Sequence, residues 1–370
     1  MPQTLDDATA LPSGDPFARP LVPPWATNLA LLVLLALLWP VAGILNDNLN
    51  PYYFQVLILI GISVIMATSL NLINGITGQF SLGHAGFMGV GAYTAGVIFK
   101  HYYNPAWNGW AEAGAFMAVL LAGGCVAALS GLLVGIPTLR LAGDYLAIAT
   151  LGFGEIIVLV IENTNTLRIP FTKPADPDAA TLPWNVFDVG GASGLHGIPQ
   201  PQSAHYFFWT FGWAIICVVT IWRLVYSPRG KAFLAVREDE IAARAVGIDT
   251  TRQKVLAFIL GAFFAGVAGG LSAMWNQNLD PTGFNFMRSI EYVVMVVLGG
   301  SGSITGVILA AVILTWLPEQ LRFLQQLRMV IYSLLLIVMM LLRPGGLLGR
   351  RELWWTRRRL APDKNGDAPN

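Results

Sequence analysis

Chemistry in this sequence has to come from a few polar residues set within or beside long apolar runs. Glu155 follows Leu151, Gly152, Phe153 and Gly154, about two-thirds of the way along one such run. An ionisable group inside a membrane span is costly, so this carboxyl is expected to be neutral, bonded to a neighbouring helix, or lining a hydrated path. Upstream, Gly78, Gln79, Ser81, Gly83 and His84 form a polar, glycine-rich approach to a helix start, where backbone amides could face a cavity. The alternative there is a tight turn followed by close packing, with His84 hydrogen-bonded to a neighbour. Gln79, Ser81, His84 and Glu155 are therefore the candidate path residues. Asp144 and Glu291 fall at expected span ends and read as interfacial.

A second group sits in a polar connection. Ser227 to Lys254 carries Arg229, Lys231, Arg237, Arg244, Arg252 and Lys254. Within it, Arg237 to Ala245 (REDEIAARA) is dense in helix formers and reads as one short exposed helix. Gly247 is placed to end that helix, and Asp249 or Thr250 to cap the next. Such a helix is either a solvated charged face or, in a transport subunit without its own motor, the place where a motor pushes. Arg237, Glu240, Ala243, Arg244 and Gly247 are the candidate coupling residues.

Other chemistries find no support. No G-x-x-x-x-G-K-[ST] phosphate loop occurs. Gly89, Gly91 and Gly96 approach a dinucleotide fingerprint but lie in an apolar helix with no preceding strand. No H-E-x-x-H or metal-spaced Cys/His cluster is present, and Cys125 and Cys217 lie in apolar runs as small hydrophobes. Neither catalysis, a resident cofactor nor a nucleic-acid partner is indicated.

The elements that must position these residues are membrane helices. The chain has 370 residues, 55% hydrophobic and only 12% charged, roughly half the charged share of a soluble domain. Its mean hydropathy is +0.60. Ten apolar segments are expected as helices: about Asn28–Leu45, Tyr53–Leu72, Gly83–Phe99, Gly114–Val134, Tyr145–Ile161, Tyr206–Val225, Val255–Trp275, Ile290–Leu298, Gly306–Leu317 and Met329–Leu342. The eighth and ninth are short and flank Gly299, Gly300, Ser301 and Gly302, which leaves two tilted spans, a re-entrant hairpin or one broken helix open.

The expected fold is thus all-α and polytopic, with about ten transmembrane helices and a cytoplasmic coupling helix. Residues 1–27 read as a polar tail, 28–345 as the transmembrane permease domain and 346–370 as a basic cytoplasmic tail. Basic residues mark the cytoplasmic side, which puts the 227–254 connection and both termini there and the 162–204 loop outside. Small residues recur every four positions at Gly123, Ala127, Gly131 and Gly135, and at Gly261, Ala265 and Gly269 beside Ala262, Gly266 and Gly270. Such ladders let helix backbones approach closely in lipid.

Several stretches, in order, carry a family resemblance: GQFSLGHAGFMGVGAY at Gly78–Tyr93, LRLAGDYLAIATLGFGEII at Leu139–Ile157, GGASGLHGIP at Gly190–Pro199, RGKAFLAVREDEIAARAVGID at Arg229–Asp249, LGGSGSITG at Leu298–Gly306 and RPGG at Arg343–Gly346. The chain resembles the LivM-type permeases of branched-chain amino acid ABC transporters. That resemblance implies a bacterial inner-membrane permease paired with a homologous LivH-type permease, two cytoplasmic ATPases that use the ATP, and a periplasmic amino-acid-binding protein. It also implies that ATP binding moves the helix around Ile241–Gly247. Two departures stand out: Ile241 replaces the Glu that opens the general importer coupling motif, with Glu240 one position early, and Pro170–Pro183 looks like an insertion. The rival expectations are an ion-coupled secondary transporter using Glu155 or His84, and a membrane-embedded enzyme or scaffold.

Overall fold

The computed structural model describes residues 24–48, 50–104, 109–138, 144–164, 166–168, 186–200, 206–324, 327–342 and 345–349. The first five helices are α1 (Pro24–Asn48), α2 (Pro51–Asn71), α3 (His84–Tyr102), α4 (Gly109–Thr138) and α5 (Asp144–Glu162). A small antiparallel hairpin follows, β1 (Thr166–Arg168) with β2 (Val186–Asp188). Then come α6 (Tyr206–Val225), α7 (Pro228–Glu238), α8 (Glu240–Ala245), α9 (Thr250–Asn276), α10 (Phe286–Gly299), α11 (Ile304–Gln320) and α12 (Leu327–Leu342). The protein is an all-α polytopic membrane protein, with the hairpin as a minor addition.

Each of the ten apolar segments falls on a helix, α1–α6 and α9–α12. By length and composition, five of the described helical stretches are sufficient to cross a bilayer: 51–76, 109–137, 145–162, 206–225 and 250–276. Shorter apolar helices cover Leu31–Leu45 and Ile304–Gln320. The first helix begins at Pro24, ahead of the boundary expected at residue 28. Residues 1–23, 350–370 and 169–185, with most of the two tails and the Pro170–Pro183 segment, lie outside the described residues.

The ends of these helices follow from local chemistry. Pro51 opens α2 behind Asn50, whose side chain accepts the Tyr52 N–H. Asp249 caps α9, Asn285 caps α10 and Ser303 caps α11. The glycine-rich stretch between the eighth and ninth segments is a turn joining two separate helices, which pack against each other.

The core is built on α3 and α9. These two and α4 form a close trio, while α2 packs against α6, α9, α10 and α11. The small-residue ladders face one another across the trio. A side chain at Gly266 would strike the Cβ of Ala127 and the backbone of Gly123, and one at Gly91 would strike the backbone of Gly266. Backbones that approach this closely gain dispersion and leave no room for a methyl group. The outer helices keep large apolar side chains exposed, among them Leu37 and Ile44 on α1, Leu129 and Leu133 on α4, and Leu334 and Leu341 on α12. Surfaces of this extent need lipid or protein against them, not water.

Candidate functional site

The helix of α2 does not stop at Asn71. It widens into a π-helical turn, Leu72–Ile76, and then runs as an irregular segment to α3 at His84. Asn74 holds that segment, accepting the Ser81 N–H at 3.1 Å and donating to the Ser81 carbonyl at 3.4 Å. Thr150 on α5 accepts the Leu82 N–H at 3.1 Å. Gln79, Ser81 and His84 are all buried. His84 Nε2 lies 2.9 Å from Ser69 Oγ, as the packing alternative expected. Its Nδ1, the Ser81 hydroxyl and both polar atoms of the Gln79 amide have no protein partner. Each such buried group carries a desolvation penalty of roughly 1–3 kcal/mol, so this short segment concentrates unsatisfied hydrogen-bonding capacity.

Glu155 reaches a different place. Its Oε1 accepts the N–H of Phe286, the first residue of α10, at 2.8 Å. It thus bonds a neighbouring helix, and a carboxylate at a helix N-terminus is also favoured by the helix dipole. The same region ties α3 to α10: the Ala85 N–H donates to Ser289 Oγ at 3.0 Å, and the Tyr292 hydroxyl donates to Met88 Sδ at 3.5 Å. Gly86 and Gly154 let α3 and α5 meet closely alongside. Glu291, expected at a span end, lies inside α10 and pairs with Arg288 at 2.7 Å.

A cavity of about 430 Å³ opens above the start of α10, with Asn276, Asn278, Asp280, Asn285, Arg288 and Glu291 in its wall. The 14 residues of α10 cover about 21 Å, short of roughly 30 Å of hydrocarbon. The other end of α10 meets the connection that carries α7, where Gly302 lies against the Arg237 guanidinium. Gly78, just before Gln79 and Ser81, lies against Arg237 of α7, whereas Glu155 meets the first residue of α10. The sequence-derived residues thus have separate partners and do not converge on a single point.

The single helix expected over Arg237–Ala245 is broken. Asp239 adopts an extended conformation (φ −157°) and its Oδ1 accepts the N–H groups of Ile241 and Ala242 at 2.8 and 3.0 Å. Asp239 thus ends α7 and caps α8, because a short acidic side chain competes for the backbone amides of a helix start better than it continues a helix. Glu240 then braces α8 to α9 through Lys254, Arg244 and Thr250. Partial burial pushes the Glu240 carboxyl upward, but the hydrogen bond and charge of Lys254, with bonds from Arg244 and Thr250, hold it below the usual carboxylate value. Gly247 ends the unit at φ +85°, a left-handed conformation that suits glycine. Ala243 is buried and faces the body of the protein, whereas Ile241 is 81% and Val246 76% exposed. The bare surface of α8 therefore centres on those two apolar residues. No group of His, Cys, Asp and Glu able to hold a metal ion occurs among the described residues.

Residues 52–342 match the family of permease components of the branched-chain amino acid transport system. The chain belongs to that family. It is 36% identical over 280 residues to the high-affinity branched-chain amino acid transport system permease protein LivM of Salmonella typhimurium, a match covering 73% of this chain and 64% of that protein. Against LivM of Escherichia coli it is 35% identical over 315 residues, 82% of this chain and 70% of the relative. The E. coli permease protein LivH is 35% identical over 108 residues, 27% of this chain and 35% of LivH. The match thus spans about two-thirds of the LivM proteins' length. No solved structure matches the chain.

As a member of this permease family the chain is a transport component, not an enzyme. Sequence reasoning missed the side chains that hold this segment and its neighbours in place: buried Asn71, Thr150 and Ser289 and partly buried Asn74. Asn71 and Asn74 carried a readable signal, being amides at the end of a long apolar run where a polar group needs a partner. Thr150 and Ser289 did not, because a hydroxyl in an apolar helix usually bonds its own preceding turn.

Proposed function

We propose that this permease-family chain forms half of the solute path of an ABC importer that brings branched-chain amino acids into the bacterial cytoplasm. It pairs with a homologous LivH-type permease, receives solute from a periplasmic binding protein, and is driven by two separate ATPase subunits. Ten helices cross the inner membrane, with both termini and α7–α8 on the cytoplasmic side, where Arg229, Lys231, Arg237, Arg244, Arg252 and Lys254 cluster. Solute enters by the polar cavity at the outer start of α10, passes Glu155, and leaves past Gln79, Ser81 and His84, whose spare hydrogen-bonding atoms suit a polar passenger.

One observation carries the reading. A chain without a phosphate loop nevertheless presents a short helix, braced by buried Lys254 and tipped by bare Ile241 and Val246. Two large apolar side chains exposed in a charged loop are best explained as a knob for another protein.

Transport tested with the proton gradient collapsed and ATP maintained separates this reading from an ion-coupled carrier. Uptake of radiolabelled leucine by cells carrying the complete system is expected to persist. Its loss would favour a proton relay through Glu155 or His84.

A further inference from the structure

At the end of α2, two parts of the chain that are remote in sequence meet on one side chain. Asn71 is fully buried; its Oδ1 accepts the Gly302 N–H at 3.0 Å and its Nδ2 donates to the Ser303 carbonyl at 3.2 Å. Both partners belong to the turn between α10 and α11. An asparagine amide offers a donor and an acceptor on two separate atoms close to the backbone. The space around it is closed: a side chain at Gly75 would strike Asn71 and the Gly302 backbone.

Arg237, two residues before the Asp239 break, completes the joint. Its side chain lies against Gly78, and its guanidinium lies against Gly302. Gly78 and Gly302 both have left-handed backbones, φ +72° and +97°. The stretch between Asn71 and Gly78 is the π-helical turn, a geometry that recurs at functional positions because it can shift register. Directly beyond Gly78 come Gln79 and Ser81.

We infer that Asn71 is a positioning residue: it locks the α10–α11 turn to the π-helical turn of α2, so that movement of α7–α8 reaches the Gln79–His84 segment. This rests on the reading that α8 receives force from a separate ATPase. A shift of α7 moves Arg237, and with it Gly302 and Gly78 together, because Asn71 keeps the two backbones in one unit.

The test uses the complete importer, both permeases with the ATPase subunits, in vesicles supplied with its binding protein and radiolabelled leucine. ATP hydrolysis and leucine uptake are measured on the same preparation. Asn71→Leu is expected to keep hydrolysis within about twofold of wild type while leucine moved per ATP falls about fivefold or more, because both hydrogen bonds to the α10–α11 turn are lost. Unchanged uptake per ATP in the assembled variant, or a parallel fall of both activities, overturns the role. If Asn71→Leu does not assemble, Asn71→Asp decides in the same way, since it keeps the acceptor for Gly302 and loses the donor to Ser303. Absence of ATP-dependent uptake in the wild-type complex would instead refute the importer reading itself.

Discussion

Glu155 and Glu240 are both acidic, and their surroundings give them different work. Glu155 holds the first amide of α10 beside the cavity, a bond that glutamine can also accept. Glu155→Gln is therefore expected to keep the thermal stability of the purified protein and to lower leucine uptake, because the carboxyl group of the proposed path is gone. Glu155→Leu removes the acceptor as well and is expected to lose roughly 1–2 kcal/mol of stability, read as a drop in melting temperature in detergent. Glu240 braces α8, and its carboxyl is held below the ordinary value. A depressed folded value means that the brace is at full strength above the unfolded glutamate pKa of about 4.3 and is lost as pH falls through the lower folded one. Hydrogen exchange of the Ile241–Ala245 amides is expected to stay slow at pH 5 and to quicken only below about pH 4, with no such step in Glu240→Gln. The sequence identified both carboxylates as chemically notable, but not their partners, since Phe286 lies 131 residues from Glu155 along the chain.

At the scale of elements, ends and contacts decide behaviour. Gly247 takes a left-handed conformation with open space around it, so Gly247→Val meets no steric clash and only backbone strain. That strain, roughly 1–2 kcal/mol, is expected to displace the end of α8, leaving the protein inserted while uptake is uncoupled from ATP. Wild-type uptake in the variant would show that this helix end is not mechanically important. Gly266 presents the opposite case, with no room for a methyl group between α9 and α4. Gly266→Ala is expected to destabilise the bundle by about 1–3 kcal/mol, again read by thermal unfolding. Helix positions and these ladders were legible because apolar length and four-residue spacing are local properties. The break at Asp239 was not, because REDEIAARA favours helix throughout and only the capping geometry shows where one helix ends. That the eighth segment is short was legible, but the start of α10 was not, as it depends on Asn285 and on the distant carboxyl group of Glu155.

The whole molecule shows exposed apolar flanks on α1, α4, α5 and α12 and a polar cavity at the start of α10. The family and the all-α membrane class were readable from motif order and hydropathy. The cavity was not, because it is assembled from α3, α9, α10 and the connection between α9 and α10, and follows packing that no local pattern encodes. Nothing in the chain can hydrolyse ATP through a phosphate loop, and α8 presents its apolar residues outward. On the proposed reading, energy for transport enters from another subunit through α8. The most direct test places the purified chain alone in sealed vesicles, imposes a proton or sodium gradient, and measures accumulation of radiolabelled leucine. The same measurement is repeated on the complete complex with ATP and binding protein. Accumulation only in the complete complex, and only with ATP, is expected; gradient-driven accumulation by the chain alone would contradict the proposed mechanism.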